Sequence, residues 1–174
     1  MFSMNGYRFR PINKKDLEWA RILHNSEDVL SMLTDTTIVS KRKQIVWFKK
    51  LSKSIISQRL VIEYQNDRIG LIRLDDIDNN NKSICVGLDI DKKFRGKGHG
   101  YNSFNILLKY CFDILEMNRA WLLVADFNKI AYNLYKKLNF IVEGVQRERL
   151  YRKNKYHDYI MMSILKSEYK KELK

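Results

Sequence analysis

The amino-acid sequence predicts a mixed α+β domain of about seven strands and about four helices, spanning residues 1–174. Three observations lead to this class. Short strand-like runs alternate with longer runs whose apolar residues have helical spacing. Hydrophobic residues make up 45% of the chain, which is enough for a substantial core. The chain contains one proline and no repeat or Gly/Ser-rich linker, so no boundary divides it.

The N-terminal part predicts a strand followed by two helices. "YRFRPI" is the strand, and "NKKDLEWARILHN" follows with apolar residues near helical spacing. "VSKRKQIVWFKKLSK" predicts the second helix, and the hydroxyl of Ser40 suits its N-cap.

The middle of the chain predicts three strands and a long helix. "QRLVIEY" and "IGLIRLDDI" flank a polar turn and read as a hairpin, and "SICVGLDI" follows as another strand. "YNSFNILLKYCFDILEM" has apolar residues three and four apart, which predicts a helix with a broad buried stripe.

The C-terminal part predicts a strand, a helix and two closing strands. "AWLLVAD" is almost entirely apolar, as in a buried strand. Asn128 is a suitable cap for the helix "KIAYNLYKKL", which ends before Asn139, a residue that tolerates the left-handed conformation of helix C-termini. The two closing strands are "FIVEGVQRERLYR" and "YHDYIMMSIL".

Composition narrows the function classes. The net charge of +13 favours anionic partners or a strongly solvated surface. Two distant cysteines, Cys85 and Cys111, predict a reducing compartment, and the three histidines lack the spacing of metal ligands. No apolar run approaches the ~20 residues that span a bilayer, and the N-terminus lacks the features of a signal peptide. We therefore expect a cytoplasmic protein with no metal site and no membrane partner.

The segment "FRGKGHG", residues 94–100, places three glycines at alternate positions between a strand and a helix. It fits neither the phosphate-binding P-loop nor the dinucleotide fingerprint, because the required residues are missing at 91, 98 and 101. A tight turn alone would explain one of these glycines. Free backbone amides at a helix start, beside basic residues, would instead suit a phosphate.

Two motifs resemble the GNAT superfamily of acetyl-CoA-dependent N-acetyltransferases. The first is R-x-x-G-x-G, formed by Arg95, Gly98 and Gly100. The second is "NKIAYNLYKKLNF", similar to the family's N-x-x-A-x-x-L-Y-x-K-x-G-F, with Asn139 in place of the usual glycine. The resemblance implies a central, mostly antiparallel sheet flanked by helices. It also implies transfer of an acetyl group from acetyl-CoA to a primary amine by direct attack.

The resemblance also implies roles for individual residues. Tyr135 would be the general acid that protonates the departing thiolate. Asn128 and the backbone of the strand before the glycines would bind the pantetheine arm, and the glycine segment would bind the pyrophosphate. The cofactor-binding residues implied are Leu88, Ile90, Arg95, Gly96, Lys97, Gly98, His99, Gly100 and Asn128.

The general base is less well defined. An alkylamine is neutral about once in 10³ molecules at pH 7, so removal of its proton matters. Cys85 stands where many relatives of this subset have a glutamate, and a buried thiol is a poor base. Asp89 shares a strand face with Cys85 and Gly87, so it would act through water, or no dedicated base exists. His24 ends the first helix, near the positions of substrate-side residues in the family.

Three amines compete as the acceptor. The closing stretch resembles a subset that acetylates ribosomal-protein N-termini, spermidine and nucleotide-linked amino sugars. The positive net charge ranks a phosphorylated small molecule, such as a nucleotide-linked amino sugar, first. A ribosomal N-terminus and spermidine are the alternatives, and a non-enzymatic nucleic-acid-binding domain is a distant one. The aromatic closing strands leave open whether the chain forms a homodimer.

Overall fold

The computed structural model describes residues 1–33 and 35–171. The described residues form eight strands: β1 (Phe2–Met4), β2 (Tyr7–Pro11), β3 (Gln58–Tyr64), β4 (Asp67–Asp78), β5 (Ser83–Ile90), β6 (Arg119–Ala125), β7 (Ile141–Arg152) and β8 (Lys155–Leu165). They form one sheet in the order β1-β2-β3-β4-β5-β6-β8-β7. The neighbours are antiparallel apart from β5 and β6, which are parallel. The mostly antiparallel sheet is confirmed, with β1 as an additional short edge strand.

In the described part of the chain, six α-helices flank the sheet: α1 (Leu17–Asn25), α2 (Glu27–Leu30), α3 (Lys41–Leu51), α4 (His99–Lys109), α5 (Lys129–Lys137) and α6 (Lys166–Lys171). Four of them match the predicted helices. The other two, α2 and α6, are too short to produce a periodic pattern of apolar residues, so the estimate of about four helices was too low. A π-helical turn over Tyr110–Ile114 extends α4.

The predicted helix ends are confirmed. The side chain of Ser40 accepts a hydrogen bond from the backbone N–H of Lys43 at 3.2 Å, and that of Asn128 accepts one from Ala131 at 3.2 Å. Asn139 adopts a φ of 61° directly after α5, the left-handed conformation that was expected for it.

The sheet separates two hydrophobic clusters. The larger one lies against α4 and α5 and contains the fully buried Phe104 and Leu107. The smaller one lies under α1 and α3 and contains Ala20, Leu23 and Val61. Strand side chains alternate between the two faces, so successive residues of one strand contribute to different clusters.

The parallel strands β5 and β6 diverge within the sheet. They pair only from Ser83–Arg119 to Cys85–Trp121, although β5 continues to Ile90 and β6 to Ala125. Beyond Cys85, the described residues supply no strand to the edge of β5 that faces β6. The carboxyl ends of these strands therefore border a cleft, the place where open sheets with parallel strands bind ligands.

Among the residues that the structure describes, no helix combines the length and the apolar character needed to cross a membrane.

Candidate active site

The glycine segment links the end of β5 to the start of α4. A 3-10 turn over Lys92–Phe94 follows β5, and α4 begins at His99. Gly96 and Gly98 have φ values of 73° and 81°, in the left-handed region that side chains rarely adopt. The turn therefore requires two of the three glycines, and the expectation that it would explain only one was wrong.

The space above the glycines is open. A Cβ atom at Gly96 would meet nothing within 4 Å, and one at Gly98 or Gly100 would meet only one side-chain atom, at 3.9 Å. Packing thus leaves room for a ligand along this backbone. The first amides of α4 and the exposed Lys97 surround it with partial and full positive charge. These residues fit the pyrophosphate of coenzyme A.

Two side chains of this segment are engaged within the protein. Arg95 donates from Nε to the carbonyl of Ile90 at 2.7 Å and forms an ion pair with Asp28 of α2 at 2.5 Å. The buried ring of His99 lies 2.8 Å from the hydroxyl of Tyr7, measured from Nδ1. The cofactor contacts predicted for Arg95 and His99 would thus come from their backbone groups.

The pantetheine residues predicted from the sequence border the cleft. Leu88 and Ile90 lie on β5 beyond its last pair with β6, and their side chains pack on the larger core. They therefore offer a ligand the backbone of Leu88 and the N–H of Ile90, whose carbonyl already accepts from Arg95. Asn128 stands just after β6, where its side-chain oxygen caps α5.

Tyr135 lies on α5 and packs against the larger core. Its ring packs against Phe104 and Phe140, with centroid distances of 5.2 and 5.8 Å. Burial raises the pKa of Tyr135 to about 12, and the nearby Arg73 opposes this rise. The phenol is therefore protonated at neutral pH, as a proton donor must be.

A cavity of about 510 Å³ lies on the opposite face of the sheet, beneath α1 and α3. Cys85, Gly87 and Asp89 all line it, which confirms that they share one face of β5. It contains as many carboxylates as permanently cationic side chains: Asp35, Asp75, Asp89, Lys43, Arg59 and Arg73.

Two ion pairs cross between the strands that line this cavity. Arg59 lies 2.9 Å from the carboxylate of Asp75, and Arg73 lies 3.5 Å from that of Asp89. Asp89, the residue predicted as a base acting through water, is therefore paired with a cation. Burial raises the pKa of the Cys85 thiol to about 12, so Cys85 is not a base near neutral pH.

His24 also lines the cavity, from the end of α1. Its ring is hydrogen-bonded to the backbone of Thr37, and burial lowers its pKa below the ordinary value. The neighbouring Asn25 binds both backbone groups of Val39, with bonds of 2.8 and 2.9 Å, and holds the segment before α3 in place. The sequence predicted that His24 lies on the substrate side, and the structure places it in the cavity.

Arg73 is the site residue that sequence reasoning missed. It lies on β4, opposite Gly87 in the sheet register, and it forms an ion pair with Asp89, the predicted base. The available signal was a single basic residue inside the otherwise apolar run "IGLIRL". Its significance depends on neighbours from β5, which no local pattern reveals.

Comparisons with known proteins agree with this geometry. Residues 7–141 match the family described as the acetyltransferase (GNAT) domain. The spermidine N(1)-acetyltransferase of Escherichia coli (strain K12) is 24% identical over 174 residues, covering 100% of this chain and 94% of the relative. The crystal structure of spermidine N-acetyltransferase from Vibrio cholerae with CoA and spermine has a TM-score of 0.91 and 28% identity, covering 95% of this chain and 99% of that one. A dodecameric structure of the Vibrio cholerae enzyme has a TM-score of 0.83 and 26% identity, with 95% and 97% covered.

Proposed function

The chain belongs to the GNAT acetyltransferase family and is an acetyl-CoA-dependent N-acetyltransferase, and we propose that its acceptor is a primary amine of a polyamine such as spermidine or spermine. The observation that carries this acceptor is the near-complete coverage of spermidine acetyltransferases in both sequence and structure. This reverses the order expected from net charge, which placed a nucleotide-linked amino sugar first.

The reversal has a local electrostatic basis. Net charge acts at long range, whereas a bound substrate senses the groups of its own cavity. In the cavity, carboxylates and cations are equal in number, so the surplus of +13 is not concentrated there. The exposed carboxylate of Asp35, which caps the backbone of Thr37, is available to a distal ammonium group.

Different parts of the chain would bind different parts of acetyl-CoA. The free edge of β5 would hold the pantetheine amides, together with Asn128, and the amides of residues 96–100 would hold the pyrophosphate. Bound there, acetyl-CoA supplies an acetyl group already activated as a thioester. Backbone donors dominate this binding, which explains why glycines mark it in the sequence.

Tyr135 acts as the general acid. Its phenol is protonated at neutral pH, and the rings of Phe104 and Phe140 pack against it and hold its orientation. A positioned acid of this kind typically contributes ~10²–10⁴-fold to the rate. The proton of the acceptor amine leaves on the cavity side. It passes to water near Asp89, or it leaves without a dedicated base.

A second acceptor class is favoured by one specific feature of the cavity. Lys43, Arg59 and Arg73 line it, and such cations suit the phosphates of a nucleotide-linked amino sugar. A ribosomal N-terminus stays a prediction without an observation of this kind.

One assay separates these acceptors. Purified protein is mixed with acetyl-CoA and, separately, with spermidine, spermine, a UDP-linked amino sugar and ribosomal N-terminal peptides, and the release of free thiol is followed. We expect the polyamines to give the highest kcat/KM. Turnover with the amino sugar alone would replace the polyamine proposal by the second acceptor class, and no turnover with any amine would exclude all three.

The exposed edge strand β7 is suited to pair with a second copy of the chain. This strand ends the sheet order, and Ile141, Val142 and Val145 on it are exposed to 55%, 43% and 51%. An exposed edge with apolar side chains is a template for pairing. Light scattering after size exclusion should detect an oligomer that Val145→Lys weakens and Ile114→Lys, at an exposed site far from β7 in sequence, does not. A monomeric wild type would contradict this.

A further inference from the structure

The helix α3 buries a polar side chain on the face that packs against the sheet. Gln44 is only 7% exposed, whereas the apolar residue that follows it, Ile45, is 50% exposed. Gln44 precedes by three, four and seven residues the side chains of α3 that pack on the smaller hydrophobic cluster: Trp47, Phe48 and Leu51. This spacing places all four side chains on one face of the helix, where position 44 is expected to be apolar.

The carboxamide of Gln44 makes no hydrogen bond to any residue within 1–33 and 35–171. The backbone N–H of Gln44 bonds to the carbonyl of Ser40 at 2.9 Å inside the helix, which leaves the side chain unpaired. Buried polar groups in proteins are nearly always hydrogen-bonded, because an unpaired one is unfavourable for folding. The amide is therefore available to a molecule that occupies the space beside it.

That space is the cavity of about 510 Å³ beneath α1 and α3, which Gln44 lines. Ala20 and Leu23 of α1 and Trp47 of α3 line it too, so the wall beside Gln44 is largely nonpolar. The two carboxylates that β4 and β5 contribute to the cavity already pair with arginines. A polyamine alternates nitrogen atoms with methylene chains, so it needs nonpolar contacts and hydrogen-bonding oxygens along its length. Gln44 supplies a neutral oxygen of this kind at the nonpolar wall.

We propose that Gln44 is a specificity-determining residue for the amine substrate: its carboxamide oxygen accepts a hydrogen bond from an N–H group of the amine bound in the cavity. This inference rests on the proposed polyamine function and assigns one of its binding contacts. A neutral amide suits this position better than a carboxylate, because a buried charge without a partner is far more unfavourable than a buried amide. The exposed Asp35 provides negative charge for the amine, and Gln44 provides a directed hydrogen bond.

The test compares Gln44→Met with Gln58→Met in steady-state kinetics with acetyl-CoA and spermidine. Methionine has nearly the length of glutamine but lacks the amide, and Gln58 is an exposed residue at the start of β3. Gln44→Met should raise the KM for spermidine about tenfold, because a hydrogen bond from a charged donor is lost, and change kcat less than about twofold. The KM for acetyl-CoA should stay unchanged. Gln58→Met should match the wild type in all three constants.

Two further measurements separate substrate binding from a structural role of Gln44. Thermal unfolding of Gln44→Met should give a Tm equal to or above that of the wild type, since the amide has no partner within the described part of the protein. Gln44→Glu keeps an oxygen at the same side-chain length, so its KM for spermidine should return to the wild-type value or below. An unchanged KM in Gln44→Met, or a raised KM that Gln44→Glu does not restore, would overturn the inference.

The role of Gln44 and the polyamine function fail in different ways. Turnover of spermidine by the wild type, with the same KM in Gln44→Met, would overturn the role of Gln44 alone. No turnover of spermidine by the wild type would overturn the polyamine function. The same variants are then compared with the amine that the wild type does acetylate, and an unchanged KM for that amine would overturn the role of Gln44 as well.

Discussion

The two faces of the sheet handle ligands in different ways. On the face of α4 and α5, the predicted acetyl-CoA site consists of backbone: the unpaired edge of β5, two glycines with left-handed φ and the first turn of α4. On the face of α1 and α3, the cavity is lined by side chains, four of which already form ion pairs, Arg59 with Asp75 and Arg73 with Asp89. Ligand binding at the first site depends on the backbone conformation. Ligand binding at the second site depends on which charged side chains remain unpaired.

This difference indicates how the two sites can change. A site made of backbone tolerates many side chains but few changes in backbone conformation, so it marks the sequence with glycines. A site made of paired charges keeps its shape when single residues change, yet its selectivity responds to each of them. We therefore expect cofactor binding to be shared across the family, and acceptor selectivity to be specific to this chain.

The largest expected effect on turnover follows from removing the hydroxyl of Tyr135, the proposed general acid. Tyr135→Phe should lower turnover by about 10²-fold or more, because the proton donor for the thiolate is lost. The ring keeps its packing against Phe104 and Phe140, so folding and acetyl-CoA binding should be unchanged. Tyr132→Phe, on the same helix, is the control and should retain full turnover in the thiol-release assay. Equal turnover of wild type and Tyr135→Phe would refute the acid role.

The next effect concerns the strand pair on which both faces depend. A Cβ atom at Gly70 would lie 2.5 Å from the carbonyl oxygen of Asp89, so β4 and β5 would have to separate. Gly70→Ala should lower the free energy of unfolding by ~1–3 kcal/mol in urea titrations. Gly144→Ala is the control, since its Cβ would meet nothing within 4 Å. Equal stability of both variants would show that the strands accommodate the methyl group.

Two variants of the glycine segment separate the effect of backbone conformation on stability from the effect of ligand access on acetyl-CoA binding. Gly98→Ala should cost about 1 kcal/mol of stability, because its φ is 81°, and should weaken acetyl-CoA binding about fivefold. Gly100→Ala lies inside α4 and should not lower stability, yet it should weaken binding by a similar factor because its methyl group would fill space beside the glycine backbone, where Leu134 lies 3.9 Å away. Calorimetric titration with acetyl-CoA, beside thermal unfolding, gives both quantities. Full affinity of Gly100→Ala would show that the third glycine has no role in binding.

The smallest effect is a pH dependence on the cavity side. Burial lowers the pKa of His24 in the folded state, so the unfolded chain takes up its proton first as the pH falls. This contribution to stability is present above the ordinary histidine pKa of about 6.5 and is lost below it. His24→Asn should therefore lose less stability than the wild type between pH 7.5 and 5.5, measured by urea unfolding. If wild type and His24→Asn lost the same stability over this pH range, the acid sensitivity would come from groups other than His24.

Sequence reasoning succeeded where the constraint was local. The motif around Asn128 and Tyr135 fixes a cap, a helix face and a left-handed end within one short segment, and the glycines fix one turn. Three short elements, β1, α2 and α6, escaped prediction because they do not complete a periodic pattern. Arg73 escaped because its meaning comes from Gly87 and Asp89 on the next strand. The comparisons favour the polyamine alternative over the amino sugar that net charge ranked first, because net charge does not describe a cavity lined by equal numbers of carboxylates and cations.

Hydrogen exchange followed by mass spectrometry would test the division between the two faces most directly. Amide exchange is compared for the free protein, the protein with CoA, and the protein with CoA and spermidine. The account predicts that CoA slows exchange in residues 86–90 and 95–100, and that spermidine adds protection near the end of α1 and the start of α3. Protection by CoA confined to α1 and α3, with unchanged exchange in the glycine segment, would contradict it.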